Sequence, residues 1–176
     1  MSLGATEAGQ GRGGLTVRRL LLAALVLVLV LAGGLVVLRV LVGLLSPRPG
    51  NLGVQNGQLA PCPESPNCVS SQSSDTVHGM APIPYGGDPA GARAQMLVVL
   101  QEMRGAKVIT NEGDYLYAEF RSPTLGFVDD VELFFDDPAG VIQFRSASRL
   151  GYGDLNANRQ RMTAMAAAFQ AAAGGP

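Results

Sequence analysis

Histidine occurs once in this sequence, at His78, and cysteine only twice, at Cys62 and Cys68. A structural zinc site needs four ligands, so these three side chains cannot complete one. No G-x-S-x-G context surrounds any serine, although several serines lie near His78, and no glycine-rich nucleotide loop is present. A hydrolase built on a nucleophile elbow is therefore unsupported. Nor is there any Lys/Arg-rich run of the kind that meets a phosphate backbone.

At 176 residues the chain has room for one domain and an appendage, since domains usually span roughly 100–150 residues. The apolar excess is concentrated between Leu20 and Leu45. Before that block, Arg12, Arg18 and Arg19 stand against Glu7; from Ser46 onward nine basic residues face thirteen acidic ones. The C-terminal part is thus acidic, which argues again against nucleic acid as a partner.

Residues 20–38 read LLLAALVLVLVLAGGLVVL without a charge, and the apolar character resumes after Arg39 as far as Leu45. A helix over that stretch is about 28 Å long, close to the hydrocarbon thickness of a bilayer. Arg39 falls near its distal end, where a long side chain can snorkel to the headgroups. We expect a short cytoplasmic segment over 1–19, a single-pass transmembrane helix over 20–45 and an extracytoplasmic remainder. Arg18 and Arg19 set this orientation in a plasma (inner) membrane, because positive flanks stay inside.

A cleaved signal peptide competes with the anchor, as Val30 and Ala32 have the spacing a signal peptidase reads. Against it, the hydrophobic run continues past that point. A lipoprotein lacks the required Cys after Gly33, and the arginine pair resembles a twin-arginine signal only as any anchor flank does.

Residues 46–87 are rich in Gly, Pro, Ser and Asn, which disfavours helix and long strand alike. An irregular arm is expected there, with a short strand around Cys68–Gln72. In an oxidising compartment Cys62 and Cys68 read as one disulfide, worth about 2 kcal/mol for so short a loop. A redox pair usually has two intervening residues, not five. His78, in this loop-rich region, reads as a surface side chain.

Over 88–172 the pattern is that of an α+β domain. Asp88-Pro89 caps and opens a helix in which Ala92, Met96, Val99, Leu100 and Met103 recur at helical spacing before Gly105. Four strands follow, at Lys107–Thr110, Tyr115–Arg121, Phe127–Phe135 and Val141–Ser148, joined by hairpin-length turns. A second helix opens at Asp154 and presents Leu155, Asn158, Met162, Met165 and Phe169 on one side. The expected architecture is a four-stranded antiparallel meander flanked by two helices in two layers.

Two segments do not look like simple core. Asp129, Asp130 and Glu132 lie in one strand, and Arg145, Arg149, Asp154, Asn158, Arg159 and Arg161 follow in the next strand, turn and helix. A hairpin would set the acids opposite the first arginines. They are candidates for a structural charge network, in which Arg121 also takes part, or for a groove binding a carboxylate or phosphate. A divalent ion held by Asp129, Asp130, Glu132 and Asp136 is disfavoured, because alternation sends the first two to opposite faces. No catalytic residue, metal ligand or cofactor is assigned.

The segments PCPESPNCVSS, FVDDVELFFD and RSASRLGYGDLNANRQR together closely resemble the domain-of-unknown-function 1499 family, over roughly residues 52–169. Both cysteines match its pattern, as do Asp129, Asp130, Glu132, Arg145, Arg149, Asp154, Asn158 and Arg159. The resemblance implies a membrane-anchored or exported protein and no particular chemistry. The function expected is a non-catalytic binding or envelope-associated module whose partner is an envelope protein, a lipid headgroup or an anionic ligand. The alternative is an enzyme that uses an Arg/Asp groove on a cell-envelope substrate.

Overall fold

The computed structural model describes residues 11–174. Contacts divide the chain into one unit ending at Leu41 and a second running from Val42. Helix α1, Gly11–Leu45, contains a stretch, Thr16–Leu45, long and apolar enough to cross a membrane; its most apolar window is wholly unburied, and in this stretch Val42 alone is buried. Thirty residues of helix rise about 45 Å, more than a bilayer core. A membrane anchor and an N-terminal signal sequence share these properties.

The second unit is built on a mixed α+β plan. Its elements after α1 are β1 (Cys68–Ser70), β2 (Ile83–Pro84), α2 (Pro89–Glu102), β3 (Ala106–Glu112), β4 (Tyr115–Arg121), β5 (Val128–Asp136), β6 (Val141–Ser148) and α3 (Ala157–Ala173). The sheet has six strands rather than the four expected. Its order is β1-β6-β5-β4-β3, with β2 pairing the start of β6. The additional strands come from the Gly/Pro-rich arm, whose composition hides them. Each needs only two or three residues because β6 already offers a free edge. The strand foreseen near Cys68 is β1.

All pairings are antiparallel, and the β5–β6 hairpin runs from Asp136↔Val141 to Asp129↔Ser148. One face of the sheet carries Leu116, Phe120, Val131, Leu133, Ile142 and Phe144, and α2 and α3 pack on it through Met96, Leu100, Met162, Met165 and Phe169. Helix α2 starts as its sequence dictates: Asp88 accepts a hydrogen bond from Gly91 N–H, and Pro89 takes the first helical position. Its exit requires Gly105, at φ +84°, where a side-chain carbon would lie 2.7 Å from the Arg121 carbonyl.

Helix α3 begins later than expected. Leu155 and Asn156 take left-handed backbone conformations, so the helix proper opens at Ala157 and Leu155 is 96% exposed instead of joining the buried stripe. Asp154 still caps this end, accepting from the backbone N–H groups of Asn156 and Asn158.

Candidate functional site

The second face of the sheet is polar, and strand alternation explains why. If Leu116 and Phe120 point to the helices, then Tyr115, Tyr117 and Glu119 on β4 point away, as do Asp130 and Glu132 on β5 and Arg145 on β6. This row is not left to solvent. Residues 46–53 lie across it: Arg48 donates to Glu119 (2.8 Å), Gly53 N–H donates to Glu132 (2.7 Å), and the Ser46 carbonyl accepts from Arg149 (3.1 Å). The β5 strand is consequently buried on both faces.

Arg149 is the centre of this face. Its Nε and Nη2 grip the Asp130 carboxylate at 2.9 and 2.6 Å, and Nη2 also donates to Glu119 (2.6 Å) and to the Tyr117 hydroxyl (2.9 Å). Tyr117 in turn donates to Asp130 at 2.5 Å. Hydrogen bonding to Asp130 raises the Arg149 pKa above its ordinary value. Burial alone would raise Glu119, but the hydrogen bonds and charges of Arg48 and Arg149 outweigh it and hold Glu119 at about 2. Burial, then the neighbouring carboxylates, pushes Tyr115 and Tyr117 above the usual phenol range.

Beside this cluster, Glu132 and Arg145 pair at 3.3 Å, and Glu132 takes further hydrogen bonds from Tyr115 and Gly53. Arg145 Nε is buried without a partner among the described residues.

The remaining predicted residues lie elsewhere. Asp129 faces the helix side, where it pairs with Arg161 at 2.6 Å, and Arg161 also stacks over Phe120. Asn158 is a fully buried hub there: its amide donates to the Asn67 carbonyl, Ser148 and Asp154, and its carbonyl accepts from Ser146 and Arg161. Arg159 is separate from both groups and donates to the Gly79 and Val77 carbonyls. The single expected constellation is thus three. Asp129 and Asp130 do point to opposite faces, and Asp136 sits at the far end of β5, where it caps the β5–β6 turn through Ala139 N–H. Among the described residues no three His, Cys, Asp or Glu side chains gather as a metal site.

Arg121 approaches Glu119 at 3.9 Å and none of the acids named with it in the sequence. Arg48, Tyr115, Tyr117 and Glu119 were missed. The signal for three of them was present, since Tyr-x-Tyr-x-Glu on β4 has the same alternation as Asp130 and Glu132. Arg48 carried none, because nothing local says that a proline-flanked arginine will lie across a sheet.

His78 is buried, not a surface side chain. Its Nδ1 lies 2.9 Å from Asp75 and its Nε2 3.2 Å from the Ser65 carbonyl, so both ring nitrogens face acceptors. Ser73 donates to Asp75, not to the imidazole, and this hydrogen bond, followed by that from His78 N–H, holds Asp75 well below the usual carboxylate range. A cleft of about 450 Å³ opens here between Gln58, Pro61, Ser70 and His78. Among the described residues no serine hydroxyl meets the imidazole, so the geometry of a Ser–His–Asp relay is not formed there. Cys62 and Cys68 are joined in a disulfide, which encloses Ser65 and Asn67 in its loop.

Comparison with protein families decides the relationship. The model of a family described as protein of unknown function (DUF1499) matches residues 58–169. The chain belongs to that family. The DUF1499 match takes in the disulfide, the whole sheet, and α3 as far as Phe169, including the Arg149, Arg145 and Asn158 groups; Arg48 and Gly53 lie outside it. Comparison with curated proteins and with solved structures gives no significant match.

Proposed function

We propose that this DUF1499 chain is a non-catalytic binding module of the cell envelope, anchored by α1 in the plasma (inner) membrane with its sheet domain outside the cytoplasm. The apolar helix preceded by Arg18 and Arg19 supports the anchor and its orientation. The Cys62–Cys68 disulfide supports an oxidising compartment. One observation carries the non-catalytic reading: the donors of Arg149 and Arg159 already engage carboxylates, a hydroxyl and carbonyls of the protein itself. Guanidinium groups so committed tie β4, β5 and β6 to the arm and α3 to the segment around His78. They are not presented to a substrate.

The experiment is a C-terminal reporter fusion read together with alkaline carbonate extraction, followed by capture of partners from solubilised membranes. Reporter activity outside the cytoplasm, retention in the carbonate pellet and co-purification of an envelope protein or anionic ligand are expected. A cytosolic reporter would overturn the reading.

The second reading, an enzyme acting on an envelope substrate through an Arg/Asp groove, is favoured by the buried, unpartnered Nε of Arg145. Turnover by the purified chain that disappears in Arg145→Lys with unchanged melting would establish it.

A further inference from the structure

Resting on the anchored reading above, we propose that one end of the sheet is a second membrane contact, which docks on the anionic headgroups of the bilayer that holds α1. The pairings Ala106↔Phe120, Arg121↔Val128 and Asp129↔Ser148 place the start of β3, the end of β4, the start of β5 and the end of β6 together. At this same end Arg149 holds the carbonyl of Ser46, the residue directly after α1. The loops 122–127 and 149–156 belong to this end of the sheet, the end that Ser46 contacts.

What these loops expose is unusual for a domain with its own core. Tyr152 is 78% exposed and Leu155 96%, with Phe127 also exposed nearby. Leu155 adopts φ +55°, a conformation unfavourable for a leucine, and receives no burial in return. Apolar and tyrosine side chains at a projecting tip suit the boundary between headgroups and acyl chains, where one end of the ring is dry and the other wet.

Charge is segregated along the same axis. Arg48, Arg104, Lys107 and Arg121 are exposed at the Ser46 end, and Arg48 and Arg121 keep about half of their side chains exposed while sharing Glu119. Glu102, Asp154 and Glu64 also lie here, Asp154 engaged in capping α3 and Glu64 in the disulfide loop that Asn67 ties to Ser148 and Gly151, so that four exposed basic side chains face three acidic ones. Glu112, Asp114, Asp136 and Asp137 cluster at the opposite end, in and beside the β3–β4 and β5–β6 turns, with Arg93 as the basic group there, bonded to Asn111 and the Tyr115 carbonyl. An anionic surface attracts the first end and repels the second, so it orients a domain whose net charge is negative.

The sequence contains no tryptophan, so Tyr152→Trp introduces a single indole. The full chain carrying it is reconstituted in vesicles containing phosphatidylglycerol or phosphatidylcholine alone, each with brominated acyl chains. In phosphatidylglycerol the emission should shift to the blue and lose most of its intensity, and high salt should restore it. Ala139→Trp, in the β5–β6 turn, should be unaffected. Arg104→Glu combined with Lys107→Glu should return Tyr152→Trp to its behaviour in phosphatidylcholine.

Unquenched emission from a chain that alkaline carbonate does not extract overturns the docking and leaves the anchor standing. Extraction by carbonate overturns both. An indole that lipid vesicles leave unquenched but native membranes shield from iodide identifies a protein partner at this end, and also overturns the docking.

Discussion

Glu132 and Arg145 face each other across the β5–β6 ladder at 3.3 Å, with 0% and 7% of their side chains exposed. The carboxylate is saturated by Tyr115 and Gly53 as well, whereas the guanidinium keeps an unpartnered Nε. Desolvation of such a pair offsets much of its attraction, so its removal as a pair and the loss of one member differ sharply. Arg145→Ala is expected to destabilise the domain by about 3–5 kcal/mol in urea unfolding, because it strands a buried carboxylate. Glu132→Leu with Arg145→Met is expected to recover most of that loss.

The arginines at 149 and 159 separate scaffold from surface. Arg149→Ala removes the donor to Asp130, Glu119, Tyr117 and Ser46 together, and about 3–5 kcal/mol should be lost. Arg149→Lys cannot reproduce the fork and should recover little of it. Arg159→Ala gives up two hydrogen bonds to carbonyls at the edge of the fold, and about 1 kcal/mol is expected. Equal denaturant midpoints for the 149 and 159 variants would contradict this division.

Much of the fold was legible because its signals are local. Asp88-Pro89 marked α2, the turns at Gly113 and Gly140 marked two hairpins, and the hairpin set the acids of β5 opposite the first arginines, without the register Glu132↔Arg145 that the fold shows. What escaped depends on contacts distant in sequence. The strands β1 and β2 are too short for a period to show, and exist because β6 has an edge to fill. The burial of His78 follows from the Ser70↔Gly79 bridge, for which Gly79 must lie so close to the Asp75 carbonyl that a side-chain carbon would meet it at 2.5 Å. The candidate residues were chosen as unlike simple core, and their division between two faces of the sheet and an outlying helix edge could be read only in part, from Asp129 and Asp130.

The disulfide loop carries more than its own closure. Its Ser65 carbonyl meets His78 and its Asn67 carbonyl accepts from Asn158. Replacing both cysteines by serine should cost about 2 kcal/mol on the chain-entropy model. Hydrogen exchange should rise at Asn158 and around His78 as well as in the loop; a loss confined to the loop would show that these contacts do not depend on it.

Acid should loosen the arm from the sheet. Glu119 sits at about 2 in the folded domain against an ordinary 4.5. A group depressed on folding contributes stability that is complete above its unfolded value and is lost as pH falls toward the folded one. Stability should therefore drop between roughly pH 5 and 2, and Glu119→Gln should flatten that limb of the curve while lowering stability at neutral pH. Thermal melts across this range test it.

Leu155→Gly should raise the melting temperature, since glycine takes the left-handed backbone freely, with a gain of about 0.5–1 kcal/mol. The same change should weaken the lipid quenching of Tyr152→Trp. A variant that gains both stability and lipid contact would show that the exposed side chain has no part in docking.

The hydrogen bond from Arg149 to the Ser46 carbonyl fastens the start of the arm to the end of β6. Residues inserted before Ser46 would therefore leave the arm seated on the sheet, whereas residues inserted between Ser46 and Arg48 would force one of two fastenings to open, at Arg149 or at Glu119.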